Sequence, residues 1–411
     1  MNAYINVLKN LHFRHLWLGQ ITSQISLNML FFVLAIRVYS VTGSNTAVSF
    51  MLLSFGIPAV FFGIIAGGIV DYYDNRLVML FSNIARAVLL FSFFIFESNL
   101  FMLYVLSVFV SIVTQLFIPA EAPSIPELVK PDEILTANSL FTISYYLSTV
   151  LGFLLAGPII KILGHKNIYL FAMMVMIIAS YFVFLLPKMK SKRVKTNSVM
   201  SPFFLLKLIR DGISFIKSNI RIRQSLILMT FSQVLISTLS VLAPGFADRI
   251  LAIDLSDASM FVMGPAALGL VGGALWVGAY GHKYLKGTII MFGMVGSGFS
   301  LILMSLLSRS QLPVDLIKNV YFAITLLLFL GFFNSIISVP ANTILQEDSD
   351  EEIRGRVYGA LTSLTGGVSL LPVVFSGMMA DFMGVAKTLL IIGIIIEAAS
   401  FYEFIRRRIA R

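Results

Sequence analysis

A short charged segment, Gly67-Gly68-Ile69-Val70-Asp71-Tyr72-Tyr73-Asp74-Asn75-Arg76, separates two long apolar runs. Gly67 and Asp71 are four residues apart and share one helix face, and a glycine there lets a neighbouring helix come close. Asp71 falls at the negative end of its own helix dipole, so it needs a cation or the positive end of another helix. Arg76 is the nearest candidate. An ordinary polar loop between two membrane spans is the alternative.

The composition indicates an integral membrane protein. Of 411 residues, 58% are hydrophobic and 12% are charged, and the mean hydropathy is +0.92. This is more apolar surface than a soluble domain can bury. The alternating pattern of a membrane β-barrel is absent, so the spans are expected to be helices. The chain has no cysteine, which excludes disulfides and thiol catalysis.

Apolar runs of about 20 residues, the length that crosses a bilayer, recur along the whole chain. They predict an all-α membrane protein with twelve transmembrane helices in two six-helix bundles. The predicted spans are 16–40, 46–70, 77–97, 100–121, 136–160, 168–187, 223–247, 258–281, 287–307, 317–341, 356–380 and 387–405. Very short loops join spans one and two and spans three and four, so these pairs must be antiparallel neighbours.

Lysine and arginine are distributed unevenly between the two sides of the membrane. With the N-terminus placed in the cytoplasm, 22 of the 30 fall in inner segments, six in outer segments and two within spans. This bias predicts a protein of the inner cell membrane with both termini cytoplasmic. Attraction to anionic lipid is sufficient to account for the net charge of +10, so no nucleic-acid partner is expected.

The two halves of the chain repeat one another. Pro119-Ala120 and Pro340-Ala341 are predicted to end spans four and ten, and acidic loops of matching length follow them. Internal duplication is typical of transporters that hold their site at the midplane between the halves. Chance similarity of two apolar helices is the alternative.

The duplication predicts three segments. An N-terminal six-helix bundle covers 1–187, and a C-terminal six-helix bundle covers 223–411. Between them, 188–222 is predicted to be a basic cytoplasmic linker, which carries an amphipathic helix on the inner leaflet. A regulatory or partner-binding helix is the alternative for that element.

Sequence patterns for catalysis and metal binding are missing. No P-loop sequence occurs, the four histidines form no cluster with metal-ligand spacing, and no nucleophile–base pair stands out. We therefore expect no enzymatic activity, no cofactor and no metal site. An ion gradient or the membrane potential would supply the energy for uphill movement.

Polar side chains recur at helical spacing inside four of the predicted spans. Polar groups inside a bilayer are costly, so they are candidates for a functional site. The candidate substrate contacts are Gln20, Gln24, Asn28 and Phe31 in span one, Gln115 and Phe117 in span four, Gln233 and Ser237 in span seven, and Asn334 and Ser338 in span ten. Hydrogen bonds across helix contacts are the alternative for the polar residues.

Four charged residues are embedded in the predicted spans. Arg37, near the outer end of span one, can reach the membrane surface and is either a structural group or a substrate contact. A lone guanidinium at Arg86 would cost at least about 2.5 kcal/mol, so we expect Glu121 as its partner in a mainly structural pair. Glu397 in span twelve is a proton-binding candidate or a structurally bonded carboxyl.

The segment around Asp71 resembles the loop between helices two and three of the major facilitator superfamily, whose pattern is Gly-x-x-x-Asp-(Arg/Lys)-x-Gly-(Arg/Lys)-(Arg/Lys). Gly67, Asp71 and Arg76 match, and three positions between Asp71 and Arg76 depart from the pattern. In the family this aspartate holds the cytoplasmic gate shut by meeting the start of helix eleven. The resemblance implies a gate of Gly67, Asp71, Arg76 and Arg356.

Further stretches resemble the macrolide-efflux and enterobactin-exporter branch of that superfamily. They are Leu16-Trp17-Leu18-Gly19-Gln20, Thr42-Gly43-Ser44, Pro119-Ala120 with Ala137-Asn138, and Arg354-Gly355-Arg356-Val357. The glycine pattern that antiporters carry in helix five is not matched around Gly157-Pro158, which weakens the inference of proton antiport.

These observations together predict a secondary transporter. It would export a small amphiphilic or hydrophobic compound by alternating access, with a proton as one candidate coupling ion. It is expected to act as a monomer in the lipid bilayer. A lysophospholipid or lipid flippase of the same fold, and a non-transporting membrane receptor, are the alternatives.

Overall fold

The computed structural model of the protein describes residues 2–70, 73–189, 220–307, 316–347 and 351–409. Every regular element in these ranges is helical. Ten of the described helices are long and apolar enough to cross a membrane. The prediction of a helical, multi-pass membrane protein is therefore confirmed, while the count of twelve spans stays a prediction.

The structure describes twelve α-helices along the chain. They are α1 (Asn2–Lys9), α2 (Leu11–Thr42), α3 (Asn45–Val70), α4 (Asn75–Ile95), α5 (Leu100–Leu128), α6 (Ile134–Phe184), α7 (Ile220–Phe246), α8 (Gly264–Tyr280), α9 (Lys286–Leu307), α10 (Leu316–Glu347), α11 (Glu351–Met383) and α12 (Val385–Ile409). Short 3₁₀ and π turns precede α6 and α8. The short loops predicted after spans one and three are confirmed between α2 and α3 and between α4 and α5.

A glycine changes the direction of one long helix, whereas two prolines lie inside helices that continue past them. Two predicted spans form one element, α6, which changes direction at Gly164, where φ is 85° and ψ is 163°, a backbone conformation that suits glycine. The prediction that Pro119 and Pro340 end their helices is wrong, because α5 continues to Leu128 and α10 continues to Glu347. Inside a membrane bundle, neighbouring groups can satisfy the carbonyl that a proline leaves free.

The chain divides into two compact units. The first unit contains Met1–Leu34 and Leu53–Phe204, and the second unit contains Ala35–Leu52 and Leu205–Arg411. The turn between α2 and α3 therefore belongs to the second unit. The two predicted bundles and their boundaries stay a prediction, and the predicted amphipathic helix in the linker lies outside the described residues.

Side-chain packing at the start of α2 forms the core of the first unit. Phe13 and Leu16 of α2 are buried with Phe117 of α5 and with Phe141 and Val183 of α6. The rings of Phe13 and Phe141 are 5.7 Å apart. Lipid tails are as apolar as these side chains, so close packing rather than escape from water stabilises helix contacts of this kind.

Glycines set the closest helix contacts of the second unit. A Cβ atom at Gly331 of α10 would collide with the carbonyl of Ala266, and one at Gly269 of α8 would collide with the carbonyl of Leu328. Only glycine permits this separation of α8 and α10, as in other membrane helix pairs with small residues at the interface. α9 packs against α10 and α12.

Candidate substrate site

Gln20, the first of the predicted polar residues of α2, lies in a helix contact. It is 4% exposed, its Nε2 donates to the carbonyl of Phe141 at 3.4 Å, and its Oε1 accepts from Ser144 Oγ at 2.9 Å. Both ends of the amide are therefore occupied by α6. This geometry matches the alternative, a hydrogen bond across a helix contact, and the role of Gln20 in substrate binding stays a prediction.

One turn further along α2, the polar side chains form fewer hydrogen bonds to other helices. Gln24 is half-buried, and its side chain has no hydrogen-bond partner among the described residues. Asn28 Nδ2 donates to the carbonyl of Gln24 at 2.8 Å and to Thr149 Oγ1 at 3.4 Å. The ring of Phe31 lies 5.6 Å from that of Phe55. This part of α2 thus offers an amide followed, two turns later, by an aromatic pair.

The predicted substrate residues of α5 lie in different surroundings. Gln115 is half-buried and faces α3, since a Cβ atom at Gly63 would be 3.3 Å from its Oε1. Phe117 is only 2% exposed, and the guanidinium of Arg86 lies 4.5 Å from its ring centroid. The structure thus gives Phe117 a partner inside the first unit.

The predicted polar residues of the second unit also differ in how far their hydrogen bonds are satisfied by another helix. Asn334 is 2% exposed and exchanges hydrogen bonds with Ser232, from Ser232 Oγ at 2.8 Å and to the Ser232 carbonyl at 3.1 Å. Gln233 is exposed and donates only to Ser237 Oγ, at 3.3 Å. Ser338 Oγ donates to the Ser335 carbonyl at 3.4 Å.

The predicted cytoplasmic gate is described only in part. Asp71 lies outside the described residues. Gly67 belongs to α3 and Arg356 to α11, where the structure describes the backbone only. Arg76 Nη2 donates to the carbonyl of Phe184 at 2.6 Å, and its buried Nε has no hydrogen-bond partner among the described residues. The pairing of Arg76 with Asp71 stays a prediction.

The embedded guanidinium of Arg86 is almost completely buried, with 1% of its surface exposed. Its Nη1 donates to Asn83 Oδ1 at 3.2 Å, while Nε and Nη2 have no hydrogen-bond partner in the part of the chain that the structure describes. Glu121 interacts with it electrostatically, and within the same ranges its buried Oε1 has no hydrogen-bond partner. The site therefore combines a cation, an aromatic face and a carboxylate with unused hydrogen-bonding capacity.

The other two embedded charges belong to the second unit. Glu397 is half-buried against α9, where a Cβ atom at Gly298 would lie 2.7 Å from its Oε1. None of the described residues forms a hydrogen bond with that oxygen. Arg37 is half-buried and has an interaction partner.

Sequence reasoning missed Asp381, near the end of α11. Its carboxylate accepts from Ser44 Oγ at 2.5 Å, from the backbone N–H of Asn45 at 2.8 Å and from that of Thr46 at 2.9 Å. A carboxylate from α11 thus caps the N-terminus of α3, where backbone donors and the helix dipole favour negative charge. We call Ser44, Asn45, Thr46 and Asp381 the Asp381 clamp. The Ser-Asn-Thr sequence after Gly43 was the available signal for a helix cap.

Two more hydrogen bonds hold the same turn within the second unit. Tyr39 Oη donates to Asp248 Oδ2 at 3.1 Å, and Arg249 Nη2 donates to the carbonyl of Gly43 at 2.8 Å. The end of α2 and the start of α3 are therefore tied to the segment after α7 as well as to α11. In the parts of the chain that the structure describes, no three His, Asp or Glu side chains gather to hold a metal ion.

Ten apolar membrane-crossing helices with amide and aromatic side chains along their contacts define a polytopic helical membrane protein. The family model described as Major Facilitator Superfamily matches residues 16–372, and the chain belongs to this superfamily. It is therefore a transporter by family, which carries a small-molecule substrate in a membrane environment.

Relatives and solved structures agree with this assignment. The chain is 24% identical to the uncharacterized transporter YfiS of Bacillus subtilis, over 92% of this chain and 88% of that protein. It is 25% identical to macrolide efflux protein A of Streptococcus pyogenes (94% and 93% covered) and 24% identical to the enterobactin exporter EntS of Shigella boydii (93% and 90% covered).

Two solved structures show the same fold. The nucleoside transporter NupG has a TM-score of 0.74 at 14% identity, with 98% of this chain and 99% of that chain covered. A bacterial homologue of the human lysosomal transporter Spinster has a TM-score of 0.77 at 12% identity, with 96% of each chain covered. The family match confirms the predicted superfamily, and the relatives named above confirm the predicted resemblance to efflux proteins.

Proposed function

We propose that this transporter exports a small amphiphilic or hydrophobic compound from the cytoplasm by alternating access. It would act as a monomer in the inner cell membrane, with both termini cytoplasmic. Export is supported by the efflux and exporter names of relatives that align with 93–94% of the chain. The excess of lysine and arginine in the predicted inner segments supports the orientation.

The observation that carries the cargo proposal is the arrangement of α2. The amide of Gln24 has no partner among the described residues, and the aromatic pair of Phe31 and Phe55 lies two turns away. A binding site with few polar groups and an apolar lining fixes the orientation of a ligand through the polar part and holds it through the apolar part. An amphiphilic cargo fits this order of groups.

The Asp381 clamp supports the alternating-access part of the proposal. The clamp holds the α2–α3 turn through hydrogen bonds to one carboxylate, and each such bond contributes roughly 0.5–1.5 kcal/mol, or more with a charged acceptor. Because these bonds all end on one carboxylate, movement of that single side chain would release the turn. We propose that it is the outer gate, and that Gly67, Asp71, Arg76 and Arg356 form the cytoplasmic gate.

A proton is the proposed coupling ion, and Glu121 is the proposed group that binds it. A carboxylate inside a membrane is costly to keep charged, and the buried Oε1 of Glu121 has no hydrogen-bond partner among the described residues. Arg86 interacts electrostatically with Glu121, so the binding and release of a proton would change how strongly the two side chains attract each other.

The test is transport by the purified chain in lipid vesicles. The cargoes would be a macrolide, an amphiphilic cationic dye and a fluorescent lysophospholipid, each with and without a pH gradient. Gradient-dependent movement of the macrolide or dye supports the proposal, and movement of the lipid alone would make the protein a flippase. If every cargo moved as in protein-free vesicles, and Asp71→Asn changed nothing, transport of these compounds would be excluded and a receptor favoured.

A further inference from the structure

A groove of about 730 Å³ runs along the first unit between α4 and the final part of α6. Its walls are stripes at helical spacing, with Leu80, Ile84 and Phe91 on α4 and Ile177 and Phe184 on α6. Arg76 bonds to Phe184 at one end, and the ring of Phe94 lies 4.6 Å from Lys166 Nζ at the other. The two helices are therefore antiparallel, and the groove follows them.

The walls of the groove are apolar and open to the surroundings. Ile84 is 49% exposed, Ile177 is 50% exposed and Phe184 is 56% exposed. The hydroxyl of Ser180, on the same wall, donates to the carbonyl of Met176 in its own helix. A groove with this lining has little with which to recognise a polar molecule, and it suits a hydrocarbon chain from the bilayer.

The length of the groove matches one leaflet. Leu80 and Phe91 are eleven residues apart on α4, which is about 16 Å at 1.5 Å per residue. Half of the hydrocarbon core of a bilayer is about 15 Å thick. A lipid whose headgroup lies near the start of α4 would thus have an acyl chain that fills the groove to the middle of the membrane.

Positive charge lies at the end of the groove where that headgroup would be. Arg76 precedes Leu80 by one turn, and its guanidinium lies 5.3 Å from the ring centroid of Phe184 in the groove wall. Lys188 is exposed, four residues after Phe184. The neighbouring Asp74 caps α4, where its Oδ1 accepts from the backbone N–H of Arg76 at 2.8 Å. A phosphate fits this end by charge.

We propose that this groove binds an anionic glycerophospholipid, with one acyl chain between α4 and α6 and the phosphate at Arg76 and Lys188. Under the predicted orientation the lipid comes from the cytoplasmic leaflet. The binding is independent of which compound the protein transports, so this proposal can fail while the proposed function stands.

The test is native mass spectrometry of the purified full chain with phosphatidylglycerol or phosphatidylcholine added in equal amounts. A cation near a membrane surface strengthens the attraction of anionic lipid by about fivefold. We therefore expect wild type to retain phosphatidylglycerol preferentially, and Arg76→Gln to reduce that preference by about fivefold. Lys283→Gln, which removes an exposed cation of the second unit, should leave the preference unchanged.

Blocking the groove separates the acyl-chain contact from the headgroup contact. Ile84→Trp should reduce retention of both lipids, and Ile177→Trp on the opposite wall should do the same. Ile394→Trp places the same ring at a comparably exposed site on α12, where Ile394 is 51% exposed, and should have no effect. The proposal is overturned if wild type retains the two lipids equally, or if neither groove variant lowers retention relative to Ile394→Trp.

Discussion

The side chains of Ser44 and Asp381 meet at 2.5 Å between Oγ and Oδ2, although 337 residues separate them in the sequence. Ser44 Oγ also accepts from the backbone N–H of Ala47 at 3.2 Å. Ser44 therefore caps α3 directly, and Asp381 caps it from α11. One carboxylate therefore joins the turn between α2 and α3 to the last part of α11.

Loss of the Asp381 carboxylate is expected to weaken the protein. Asp381→Ala removes the acceptor for two backbone N–H groups of α3, which should lower the free energy of unfolding by about 1 kcal/mol. Asp381→Asn keeps one acceptor oxygen and should lose less. The comparison is thermal unfolding in detergent, with Asp132→Ala as the control because Asp132 is an exposed carboxylate elsewhere. Equal melting of Asp381→Ala and Asp132→Ala would contradict the capping role.

Gln20 and Gln24 provide a matched test of structural and substrate-binding amides on one helix. Gln20→Leu breaks two contacts with α6 and should lower the unfolding free energy by about 1 kcal/mol. Gln24→Leu should leave stability unchanged and raise the KM for transport. Unfolding curves and transport kinetics on both variants separate the two roles, and a stability loss at Gln24 equal to that at Gln20 would contradict the division.

The contact between Arg86 and Phe117 should appear as an energetic coupling. A buried cation–π contact contributes about 2 kcal/mol, and lysine does not reproduce the planar stacking of arginine. Arg86→Lys and Phe117→Leu should therefore each destabilise the protein, and the double variant should lose less than the sum of the two. The contact of exposed Lys166 with half-buried Phe94, at 4.6 Å, is the comparison and should show weaker coupling. Additive losses at Arg86 and Phe117 would rule the contact out as a stabilising one.

The two embedded glutamates are expected to differ in transport. Glu121→Gln removes the proposed proton-binding group and should abolish the dependence of transport on the pH gradient while substrate exchange continues. Glu397→Gln should keep that dependence, since its carboxyl packs against Gly298 of α9. Transport driven by the gradient, set beside exchange at equal pH, distinguishes the two variants. Retention of gradient-driven transport by Glu121→Gln would remove it as the coupling group.

The spans were predictable because the bilayer imposes a length and a composition on each helix. The predicted span 287–307 and the observed helix Lys286–Leu307 differ by one residue. The ends of the helices that contain Pro119 and Pro340 were not predictable in this way, because a local rule about proline takes no account of the neighbouring helices. Whether a helix continues past a proline depends on tertiary contacts.

Residue type and spacing propose candidate site residues, but they do not show which of these side chains are held in helix contacts. Gln20 and Gln24 have the same chemistry and lie one turn apart, and only the position of Ser144 on α6 assigns one of them to a helix contact. The sequence around Asp381 does not indicate its partners, because Ser44 and Asn45 are more than 330 residues away. Long-range pairs of this kind depend on the packing of the helices, which spacing within one helix does not reveal.

If the Asp381 clamp is the outer gate, transport requires the clamp to open and close. The chain has no cysteine, so Ser44→Cys with Asp381→Cys introduces the only two thiols. Vesicle transport would be measured with the pair reduced, oxidised to a disulfide, and reduced again, with each single variant as a control. The account predicts transport in the reduced protein, arrest on oxidation and recovery on reduction. Transport by the fully oxidised protein at the rate of the reduced protein would contradict it.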